Sequence, residues 1–524
     1  MTLEGPPAPR PVAPQNLLEA GLRSRPDEVA ITSLSRSLTW RELDEASNTL
    51  ALNYRALGLE RGDRIASLLP NRVELAIHYI ACFKSGIVAT PFNYRYAAAE
   101  IDHALEVGGA KMLVAHSERD GDIAASRLAS GLELGHIRFG DASLGERDLE
   151  TLIGEPIGGG PSDEVNRDSL DPAAPAAIFF TSGSTGPAKG VTHSLETLGW
   201  ALAIAGAAFE LTEDDVFLPA SSMSHIGSFL WTLATLSVGA RAVVAHTVDS
   251  HEVFALLKQE RPTVLAMIPA ALTALIRDHD ATSEDFESLR LCRAGADKVS
   301  AELESEFSHL VGFPIDEGYG MTEVGLASLN PPSGVIKNGS IGCAVPGFGF
   351  ELRDDSGAEV PIGEVGRAWL RSPSVTTGYW QDPGATDEVL RDGWLDSGDL
   401  MRADEDGYLW FFGRKKQIIV HDGSNISPLE VEGALLEHPA VAACGVVGIH
   451  DSVHGENVRA YISLRAEVDA PTSPELIAFA RERVTYKAPE EIVFLDEMPL
   501  NPTGKVDRVG LKKLAEEHLN PHDA

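Results

Sequence analysis

The amino-acid sequence predicts an α/β protein in which a large N-terminal domain precedes a small α+β domain. The length of 524 residues exceeds the roughly 100–200 residues of one simple domain. Short apolar strands alternate with helical segments over about 400 residues, a pattern typical of mostly parallel α/β layers. From Pro346 onward, short and closely spaced strands lie between turns that contain Gly, Pro and Asp. We therefore expect two layered α/β subdomains, a small β-barrel-like subdomain and the C-terminal domain.

The first elements follow from the spacing of apolar residues. Leu17 to Leu22 and Trp40 to Leu59 repeat apolar side chains close to the helical period. Asn71 to Ser85 predicts an amphipathic helix that Asn71 caps. Gly86 to Pro91 then predicts a short buried strand that enters a turn. Four further strands are predicted at Lys111 to Ala115, Ala176 to Phe180, Ala242 to Ala245 and Val264 to Ile268.

The pattern changes in the C-terminal part of the chain. Short strands between turn residues are predicted at Gly349 to Leu352, Gly366 to Arg371 and Gly407 to Phe412. Beyond the motif Gly413-Arg414-Lys415-Lys416, helices and strands mix again for about 110 residues, which is enough for a compact unit. We therefore expect a first domain of residues 1–413, a hinge at this motif, and a second domain of residues 414–524.

Charge and composition exclude several classes of protein. The chain carries 43 Lys and Arg against 78 Asp and Glu, a formal net charge of −35. Such a surface repels polyanions, so we expect no nucleic-acid partner, and any phosphate ligand needs a local positive pocket. With 44% hydrophobic and 23% charged residues, the composition is that of a globular enzyme and not of a disordered or fibrous chain.

Cysteine usage and hydropathy indicate where the protein works. Cys82, Cys292, Cys343 and Cys444 are widely spaced, with no C-x-x-C pair and no Cys/His cluster at metal-binding spacing. The N-terminus lacks the basic and apolar segments of a signal peptide, and no stretch reaches the roughly 18 apolar residues of a membrane span. We therefore expect a cytoplasmic protein without a membrane span.

The most informative segment joins an apolar strand to a loop of small polar residues. Ile178-Phe179-Phe180 runs into Thr181-Ser182-Gly183-Ser184-Thr185-Gly186-Pro187-Ala188-Lys189-Gly190. Glycines let backbone amides approach an anion closely, hydroxyls donate further hydrogen bonds, and Lys189 adds positive charge. The segment predicts a phosphate cradle, with a flexible surface loop as the alternative. A Walker-type loop needs Ser or Thr after its lysine, where this chain has Gly190.

Thr181 to Gly190 resembles the signature of the acyl-adenylate-forming superfamily. That superfamily includes acyl-CoA and aryl-CoA synthetases, luciferases and the adenylation domains of peptide synthetases. Four further motifs follow in the family's order: Glu317-Gly318-Tyr319-Gly320-Met321-Thr322-Glu323, Asp392-Gly393-Trp394-Leu395-Asp396-Ser397-Gly398-Asp399, Gly413-Arg414-Lys415-Lys416, and Pro502-Thr503-Gly504-Lys505-Val506-Asp507-Arg508. Because the motifs keep this order, the resemblance covers nearly the whole chain.

The resemblance implies an AMP-forming acid:CoA ligase that uses ATP, Mg²⁺ and CoA. A carboxylate is a poor electrophile, so the acid first attacks the α-phosphorus of ATP, which gives acyl-AMP and pyrophosphate. The thiol of CoA then takes the acyl group. Two anions meet in the first step, and a positioned lysine with Mg²⁺ relieves their repulsion. Lys505, presented by the Pro-Thr-Gly turn before it, is the expected catalytic lysine.

The resemblance also implies roles in the nucleotide site. Thr322 would contact phosphate, and Glu323 would hold Mg²⁺, because a carboxylate suits a hard, oxygen-liganded ion. Asp399 would accept hydrogen bonds from the ribose hydroxyls, with support from Arg414. Tyr319 would lie against the adenine. The remaining residues expected to bind the nucleotide are Thr181, Ser182, Gly183, Ser184, Thr185, Gly186, Lys189, Gly295, Ala296 and Gly320.

The resemblance further implies that the small C-terminal domain is mobile. Lys505 has to be in the site for adenylation and then leave so that a thiol can approach the acyl-AMP. Lys416 occupies the position of the pivot for this rotation. Gly423 would line the narrow tunnel for the pantetheine arm of CoA, where a side chain would obstruct; a plain turn glycine is the alternative.

The acid itself is not readable from the motifs. The residues expected to line the acid pocket are Met223, His225, Gly227, Val324 and Gly325. Most are small or apolar, which favours an uncharged acyl or aryl group. Arg293 is able to pair with a second carboxylate, so a dicarboxylic acid stays open.

Two alternative functions remain at this point. No carrier module follows the last motif, which favours free CoA as the acceptor, and a stand-alone ligase that loads a separate carrier protein is the alternative. A non-catalytic nucleotide-binding scaffold is the second alternative, against which the intact Lys505, Glu323 and Asp399 argue. The expected partners are a small carboxylic acid and CoA, and a homodimer is the expected assembly if the chain associates at all.

Overall fold

The computed structural model describes residues 2–140, 147–157, 169–181, 188–246, 249–295, 299–422, 424–451, 454–465, 468–501 and 505–518. In this part of the chain, helices cover four β-sheets of seven, nine, six and five strands. The first three sheets belong to a large N-terminal domain and the fourth to a small C-terminal domain. The predicted α/β class and its two-domain organisation are therefore confirmed.

The seven-stranded sheet comes mainly from the N-terminal portion of the chain. In spatial order its strands are Gly378–Tyr379, Lys189–Ser194, Pro175–Thr181, Val88–Pro91, Arg64–Leu68, Met112–His116 and His136–Phe139. The strands run parallel except at the edge that Lys189–Ser194 and Gly378–Tyr379 form. The strands predicted near residues 86–91, 111–115 and 176–180 all lie in this sheet.

The nine-stranded sheet lies beside it in the same domain. Its strands, in spatial order, are Cys343–Ala344, Gly325–Leu329, Asp316–Met321, Leu291–Ala294, Val264–Met267, Val216–Ala220, Arg241–Val243, Val29–Thr32 and Ser37–Thr39. The central strands are parallel, so the carboxyl ends of Val264–Met267, Leu291–Ala294 and Asp316–Met321 meet at one edge. Ligands of open α/β sheets bind at such an edge.

Four helices fill the space between these two sheets, namely Trp40–Ala56, Val73–Ser85, Leu195–Ala208 and Ile226–Ser237. Their apolar side chains share one hydrophobic core with strands of both sheets. A capping box starts the first helix, because the Thr39 side chain accepts from the Glu42 amide and Glu42 accepts from Thr39. The other helices of the domain are Glu19–Ser24, Ala98–Gly108, Asp120–Ala125, Leu149–Gly154, Ser250–Glu260, Pro269–Arg277, Ala301–Val311 and Pro383–Val389.

The helix Val73–Ser85 differs from its sequence-based prediction in two ways. All of its residues are buried, so it is a core helix and not an amphipathic one. Asn71 does not cap it; the Asn71 side chain instead donates to the Ser221 carbonyl and accepts from the Met223 amide, at 2.7 Å each. A long-range contact therefore replaces the expected local one, and it ties the first sheet to the loop after strand Val216–Ala220.

The six-stranded sheet is antiparallel and corresponds to the predicted β subdomain. Its strands are Leu3–Glu4, Gly349–Arg353, Val365–Arg371, Trp394–Ala403, Leu390–Arg391 and Leu409–Arg414. The strands predicted near residues 349–352, 366–371 and 407–412 are thus confirmed. Closure of this sheet into a barrel stays a prediction.

The C-terminal domain has helices on both faces of its sheet, and each face packs a small hydrophobic core. The five strands are Ser424–Ile426, Ile419–His421, Gly455–Leu464, Val441–Asp451 and Glu491–Phe494, and the helices are Pro428–Leu436, Ser473–Val484 and Arg508–His518. Among the helices of the described ranges in both domains, none has the length and apolar content needed to cross a lipid bilayer.

Candidate active site

A cleft of about 2860 Å³ opens where the carboxyl edge of the nine-stranded sheet, the antiparallel sheet and the C-terminal domain meet. Residues of all five sequence motifs lie on its walls, although several hundred positions separate the first motif from the last in the chain. The predicted site residues on these walls are Thr181, Lys189, His225, Gly227, Gly295, Tyr319, Gly320, Thr322, Glu323, Gly325, Asp399, Arg414, Lys416 and Lys505. The fold therefore gathers the motifs at one place.

Seven of the predicted site residues lie outside the described ranges. They are Ser182, Gly183, Ser184, Thr185, Gly186, Ala296 and Gly423. Their expected contacts with the nucleotide or the pantetheine arm stay predictions.

Asp399 is a buried carboxylate at the centre of the cleft, with 1% of its surface exposed. It lies opposite Arg414 because the strands Trp394–Ala403 and Leu409–Arg414 pair in antiparallel register. The Tyr319 hydroxyl donates to Asp399 Oδ2 at 2.6 Å, and Arg414 Nε lies 3.3 Å from Oδ1 without hydrogen-bond alignment. Among the described residues, Oδ1 has no hydrogen-bond partner. This oxygen is therefore available to a hydroxyl in the cleft.

Burial sets the protonation of this pair. It raises the pKa of Asp399, while the Arg414 charge and the Tyr319 hydrogen bond oppose the rise. Burial also raises the pKa of Tyr319, so its hydroxyl stays a neutral donor. The Tyr319 ring lies 6.0 Å from the Phe411 ring at 27°, a stacked arrangement. Phe411 thus belongs to the same wall of the cleft.

Glu323 forms a second buried carboxylate in the cleft. The Tyr379 hydroxyl donates to Glu323 Oε1 at 2.9 Å, and burial raises the pKa of Glu323 while this hydrogen bond lowers it. The ammonium of Lys189 lies 5.1 Å from the centre of the Tyr379 ring. Tyr379 therefore contacts both Glu323, through its hydroxyl, and Lys189, through its ring face. Glu323 and Lys189 come from different motifs, and these two described residues form no direct ion pair.

Hydrogen bonds to its backbone carbonyls hold the loop that carries Thr322 and Glu323. The Thr322 carbonyl lies 2.8 Å from Nε2 of the buried His193, and the Glu323 carbonyl accepts from the Thr376 amide at 2.7 Å. Burial lowers the pKa of His193 to about 4, so its neutral ring donates to Thr322 at physiological pH. The backbone is thus positioned before any ligand enters.

Lys505 reaches the cleft from the C-terminal domain. The Asn501 amide donates to the Lys505 carbonyl at 2.7 Å, and the Lys505 amide donates to the Asn501 side-chain oxygen Oδ1 at 3.1 Å. The Lys505 charge lowers the pKa of Asp399 in the N-terminal domain. Burial first, and the same charge second, lower the pKa of His225 to about 4. Lys505 therefore acts on two walls of the cleft at once.

The predicted acid pocket is only partly formed by the residues expected for it. His225, Gly227 and Gly325 line the cleft. Met223 and Val324 are packed in hydrophobic cores behind the wall and do not line the cleft in the part of the chain that the structure describes. Their positions next to pocket residues in sequence gave no information about which way each side chain points.

Three aromatic residues of the site were not identified from the sequence. Trp231 lines the cleft from helix Ile226–Ser237, Phe411 stacks near Tyr319, and Tyr379 holds Glu323. Phe411 lies two residues before the Gly413-Arg414 motif, so its place in the sequence could have identified it as a site residue. Trp231 and Tyr379 stand in no motif, and only the packing of the fold brings them to the cleft.

One further cluster lies outside the cleft, in the C-terminal domain. His421, Asp422 and His454 place ligand atoms within 4.8 Å of one another. The two imidazole rings stack with centres 5.2 Å apart at 23°. The search for metal-binding spacing in the sequence missed this group, because His454 is 32 residues from Asp422 in the chain.

Comparisons with known proteins agree with this geometry. Residues 18–380 match the family described as AMP-binding enzyme, and residues 430–505 match the AMP-binding enzyme C-terminal domain. The chain belongs to the AMP-binding enzyme family. Its resemblance to the acyl-adenylate-forming superfamily, predicted from the motifs, is confirmed.

Relatives in the AMP-binding family span almost the full chain. A feruloyl-CoA synthase of an Amycolatopsis species is 34% identical over 490 residues, which cover 92% of this chain and 95% of that one. The indoleacetate–CoA ligase of Aromatoleum aromaticum is 33% identical over 500 residues, 94% and 96% of the two chains. ATP-bound MatB from Rhodopseudomonas palustris superposes with a TM-score of 0.88 at 27% identity, over 97% of this chain and 100% of that one.

The family assignment fixes the reaction class. The chain is an AMP-forming ligase that joins a carboxylic acid to CoA through an acyl-AMP at the expense of ATP. The predicted function and enzyme class are thereby confirmed, and neither a carrier-protein acceptor nor a non-catalytic scaffold is favoured.

Proposed function

We propose that the cleft activates the acid with Lys505, Glu323 and Asp399 in three separate roles. The observation that carries this proposal is that these three charged side chains, from different motifs and both domains, face one cavity. Lys505 approaches the α-phosphate and the attacking carboxylate, where it stabilises the charge that develops as they join. Asp399 holds the ribose, and Glu323 lies on the phosphate side.

The hairpin that carries Lys189 supports the phosphate end of this arrangement. Thr181 and Lys189 are opposite each other in the antiparallel pair Pro175–Thr181 and Lys189–Ser194. The segment between them is the predicted phosphate cradle. Lys189, kept near Glu323 by the Tyr379 ring, would neutralise the β- and γ-phosphates, and the Thr322 hydroxyl would donate to a phosphate oxygen.

The site also suits Mg²⁺. The Glu323 carboxylate is a hard oxygen ligand that lines the cleft, and burial raises its pKa, so the carboxylate would gain from a neighbouring cation. When bound, Mg²⁺ supplies positive charge to the departing pyrophosphate. The part played by this chain is to hold Glu323 ready through the Tyr379 hydroxyl and the fixed backbone of the Thr322 loop.

The ribose would complete the hydrogen bonds of Asp399. One carboxylate oxygen already accepts from Tyr319, and the other faces Arg414 without an aligned hydrogen bond. A ribose hydroxyl that donates to this oxygen would satisfy it. The adenine would then lie along the Tyr319 ring, with the Gly295 backbone on its far side, as the family resemblance implies.

Asp399→Asn should weaken ATP binding by about tenfold or more, since hydrogen bonds to charged groups contribute about 1.5–3 kcal/mol each. The amide keeps the shape of the side chain and removes the charge that Arg414 faces. Isothermal titration with ATP measures the change, and exposed Asp496→Asn is the matched control. An ATP affinity equal to that of the wild type would refute the role of Asp399.

We further propose that the C-terminal domain, residues 414–524, rotates about Lys416 between the two half-reactions. The last strand of the antiparallel sheet ends at Arg414, and the two family matches fall on either side of this point. Lys416 is a cleft-lining residue of the short turn that follows the strand. Gly423 would then come to line the path of the pantetheine arm.

The acid would enter beside His225, Gly227 and Gly325, with Trp231 as an apolar wall. An aromatic ring fits such a wall, and the relatives that bear the names feruloyl-CoA synthase and indoleacetate–CoA ligase make an aryl or arylalkanoic acid the first choice. Burial keeps His225 neutral, so it faces the acid as a hydrogen-bonding group and not as a counter-charge.

The experiment that tests the proposed function measures pyrophosphate release from ATP across a panel of aromatic and aliphatic acids, with and without CoA. Acid-dependent release that yields an acyl-CoA by mass spectrometry is the expected result. Release that stops at acyl-AMP in the presence of CoA would point to another acceptor, and no release with any acid would refute the proposal.

We also propose that the protein works in the cytoplasm. The four cysteines are free thiols in the structure, which suits the reducing cytoplasm. Association into a homodimer stays a prediction that light scattering of the purified protein tests.

A further inference from the structure

Arg293 is a buried cation on the wall of the acid pocket. It belongs to strand Leu291–Ala294, whose carboxyl end opens into the cleft, and 5% of its surface is exposed. Charged side chains are almost never buried to this extent unless they are paired. The contacts of its guanidinium group therefore decide what this residue is for.

Few of the donors on Arg293 are satisfied by the protein. A guanidinium carries five N–H donors. Among the described residues, Nη2 donates to the Gly318 carbonyl over a long 3.4 Å, and Nε has no acceptor. The plane of the group lies against the Trp231 ring, with 4.6 Å between the guanidinium carbon and the ring centre. The tryptophan offers a π face and no acceptor in the plane of the donors.

Nearby carboxylates do not remove the charge. The charges of Asp316 and Glu317 act on Arg293, yet no carboxylate of the described residues forms an ion pair with it. Burial raises the pKa of Asp316 to about 7, so roughly half of this carboxyl group is protonated, and therefore neutral, at pH 7. Burial also lowers the pKa of Arg293 to about 10, which still leaves it cationic.

Glycines keep the space around Arg293 and Trp231 open. A β-carbon at Gly295 would come within 2.8 Å of Arg293 Nη1, and one at Gly318 within 3.4 Å of Nε. On the tryptophan side, a β-carbon at Gly227 would lie 3.2 Å from the indole ring. The indole and the guanidinium thus form one flat wall, apolar along Trp231 and cationic at Arg293.

We infer that Arg293 selects acids that carry an oxygen acceptor at the end remote from the reacting carboxylate. The acid would lie along Trp231, and its remote oxygen would take up the donors of Arg293 that the protein leaves unsatisfied. A phenolic or carbonyl oxygen and a second carboxylate share this chemistry. The inference rests on the proposed function, because it concerns the acid that the same cleft activates. It narrows the uncharged acyl or aryl group and the open dicarboxylic acid of the sequence analysis to acids with a remote oxygen acceptor.

Three matched acids test the inference: cinnamate, 4-hydroxycinnamate and 4-carboxycinnamate. For each, we would measure binding to the protein by isothermal titration without ATP, and kcat/KM for pyrophosphate release. The wild type should prefer at least one acceptor-bearing acid over cinnamate by tenfold or more in both measurements. Arg293→Met should remove this preference, mainly through KM, and Arg293→Lys should restore part of it.

The controls separate the possible failures. Arg261→Met, at an exposed ion pair, should keep the wild-type preference, and thermal unfolding shows whether each variant is folded. Equal binding of all three acids, or a preference that persists in folded Arg293→Met, overturns the inference. Selective binding without pyrophosphate release would instead refute the proposed function and leave the role of Arg293 supported. A higher preference for the hydroxyl or for the carboxylate identifies which oxygen the site takes.

A second and independent observation concerns the cluster of His421, Asp422 and His454. His421 Nδ1 lies 2.7 Å from the Glu456 carbonyl, which only accepts, so the proton of a neutral ring is on Nδ1. The lone pair on Nε2 then faces carboxylate oxygens of Asp422 at 3.6 Å and Glu490 at 3.5 Å. A proton on Nε2 or a metal cation between these acceptors would relieve their repulsion.

The geometry points to a Zn²⁺ site formed by His421, Asp422 and His454. Two imidazoles and a carboxylate are ligands that Zn²⁺ prefers. The Glu456 carbonyl accepts from His421 Nδ1 and so orients the ring, as hydrogen-bond partners of zinc-bound histidines commonly do. His454 Nδ1 lies 2.8 Å from Asp422 and would turn toward the ion. His421 and Asp422 follow the proposed hinge residue Lys416 closely in the chain.

Titration of EDTA-treated protein with ZnCl₂ tests this site. One equivalent should bind, and His421→Ala and His454→Ala should each weaken this binding by tenfold or more, whereas exposed His309→Ala should not. Co²⁺ absorption would report the coordination. Absence of a stoichiometric site, or binding that both variants retain, overturns the inference.

Discussion

Lys505→Ala should lower the rate of acyl-AMP formation by about 10²–10³-fold, or about 3–4 kcal/mol of transition-state stabilisation. The acid carboxylate and the α-phosphate repel each other, and Lys505 supplies the positive charge from the C-terminal domain. Lys505 already lines the cleft, together with Asp399 and His225. Single-turnover pyrophosphate release measures the loss, and ATP affinity by titration should change little.

Matched controls separate chemistry from folding. Lys512→Ala removes an exposed lysine from the nearby helix Arg508–His518 and should leave the rate unchanged. Because the Lys505 charge lowers the pKa of His225, Lys505→Ala should also raise the pKa of His225, which an NMR titration of its ring protons detects. Unchanged pyrophosphate release in a folded Lys505→Ala protein would be incompatible with a catalytic role.

Glu323→Gln should lower adenylation by about 10²-fold or more and shift the Mg²⁺ requirement to higher concentrations, because the amide keeps the shape and loses the charge. The Tyr379 hydroxyl can still donate to the amide oxygen, so the loop should stay in place. The measurement is the rate of pyrophosphate release as a function of Mg²⁺ concentration, together with ATP affinity.

Two further variants serve as comparisons for Glu323→Gln. Exposed Glu364→Gln removes a carboxylate of the same kind at a turn and should behave as the wild type. Tyr379→Phe should show a smaller defect, since it removes a hydrogen bond from Glu323 and leaves its charge. A Glu323→Gln protein with the wild-type Mg²⁺ dependence would exclude Glu323 from metal binding.

The motifs in the sequence predicted several of the segments that line the cleft, because each motif is continuous in the chain. A strand followed by a polar loop, as at Thr181, shows its chemistry in adjacent residues. The fold then needs only to bring the loops together, and the carboxyl edge of a parallel sheet does so. The strands around residues 349–371 were likewise predictable from their closely spaced turns.

The aromatic and cationic wall was not predictable in the same way. Trp231 belongs to an almost entirely apolar helix, where a tryptophan is ordinarily a core residue. Which face of that helix borders the cleft depends on packing against a strand far along the chain. Asn71 illustrates the same limit, because its local signal for a helix cap was overridden by contacts to Ser221 and Met223. Side-chain direction is a tertiary property.

The strand pair that places Arg414 opposite Asp399 has a thermodynamic consequence. Arg414 is at once the last residue of the antiparallel sheet and the first of the proposed moving domain. If rotation about the hinge changes the distance between this guanidinium and the nucleotide, each domain orientation has its own nucleotide affinity. Linkage then requires that the nucleotide shift the balance of orientations by the same factor. The state of the nucleotide, intact or cleaved, would thus itself bias which half-reaction the enzyme is arranged to perform.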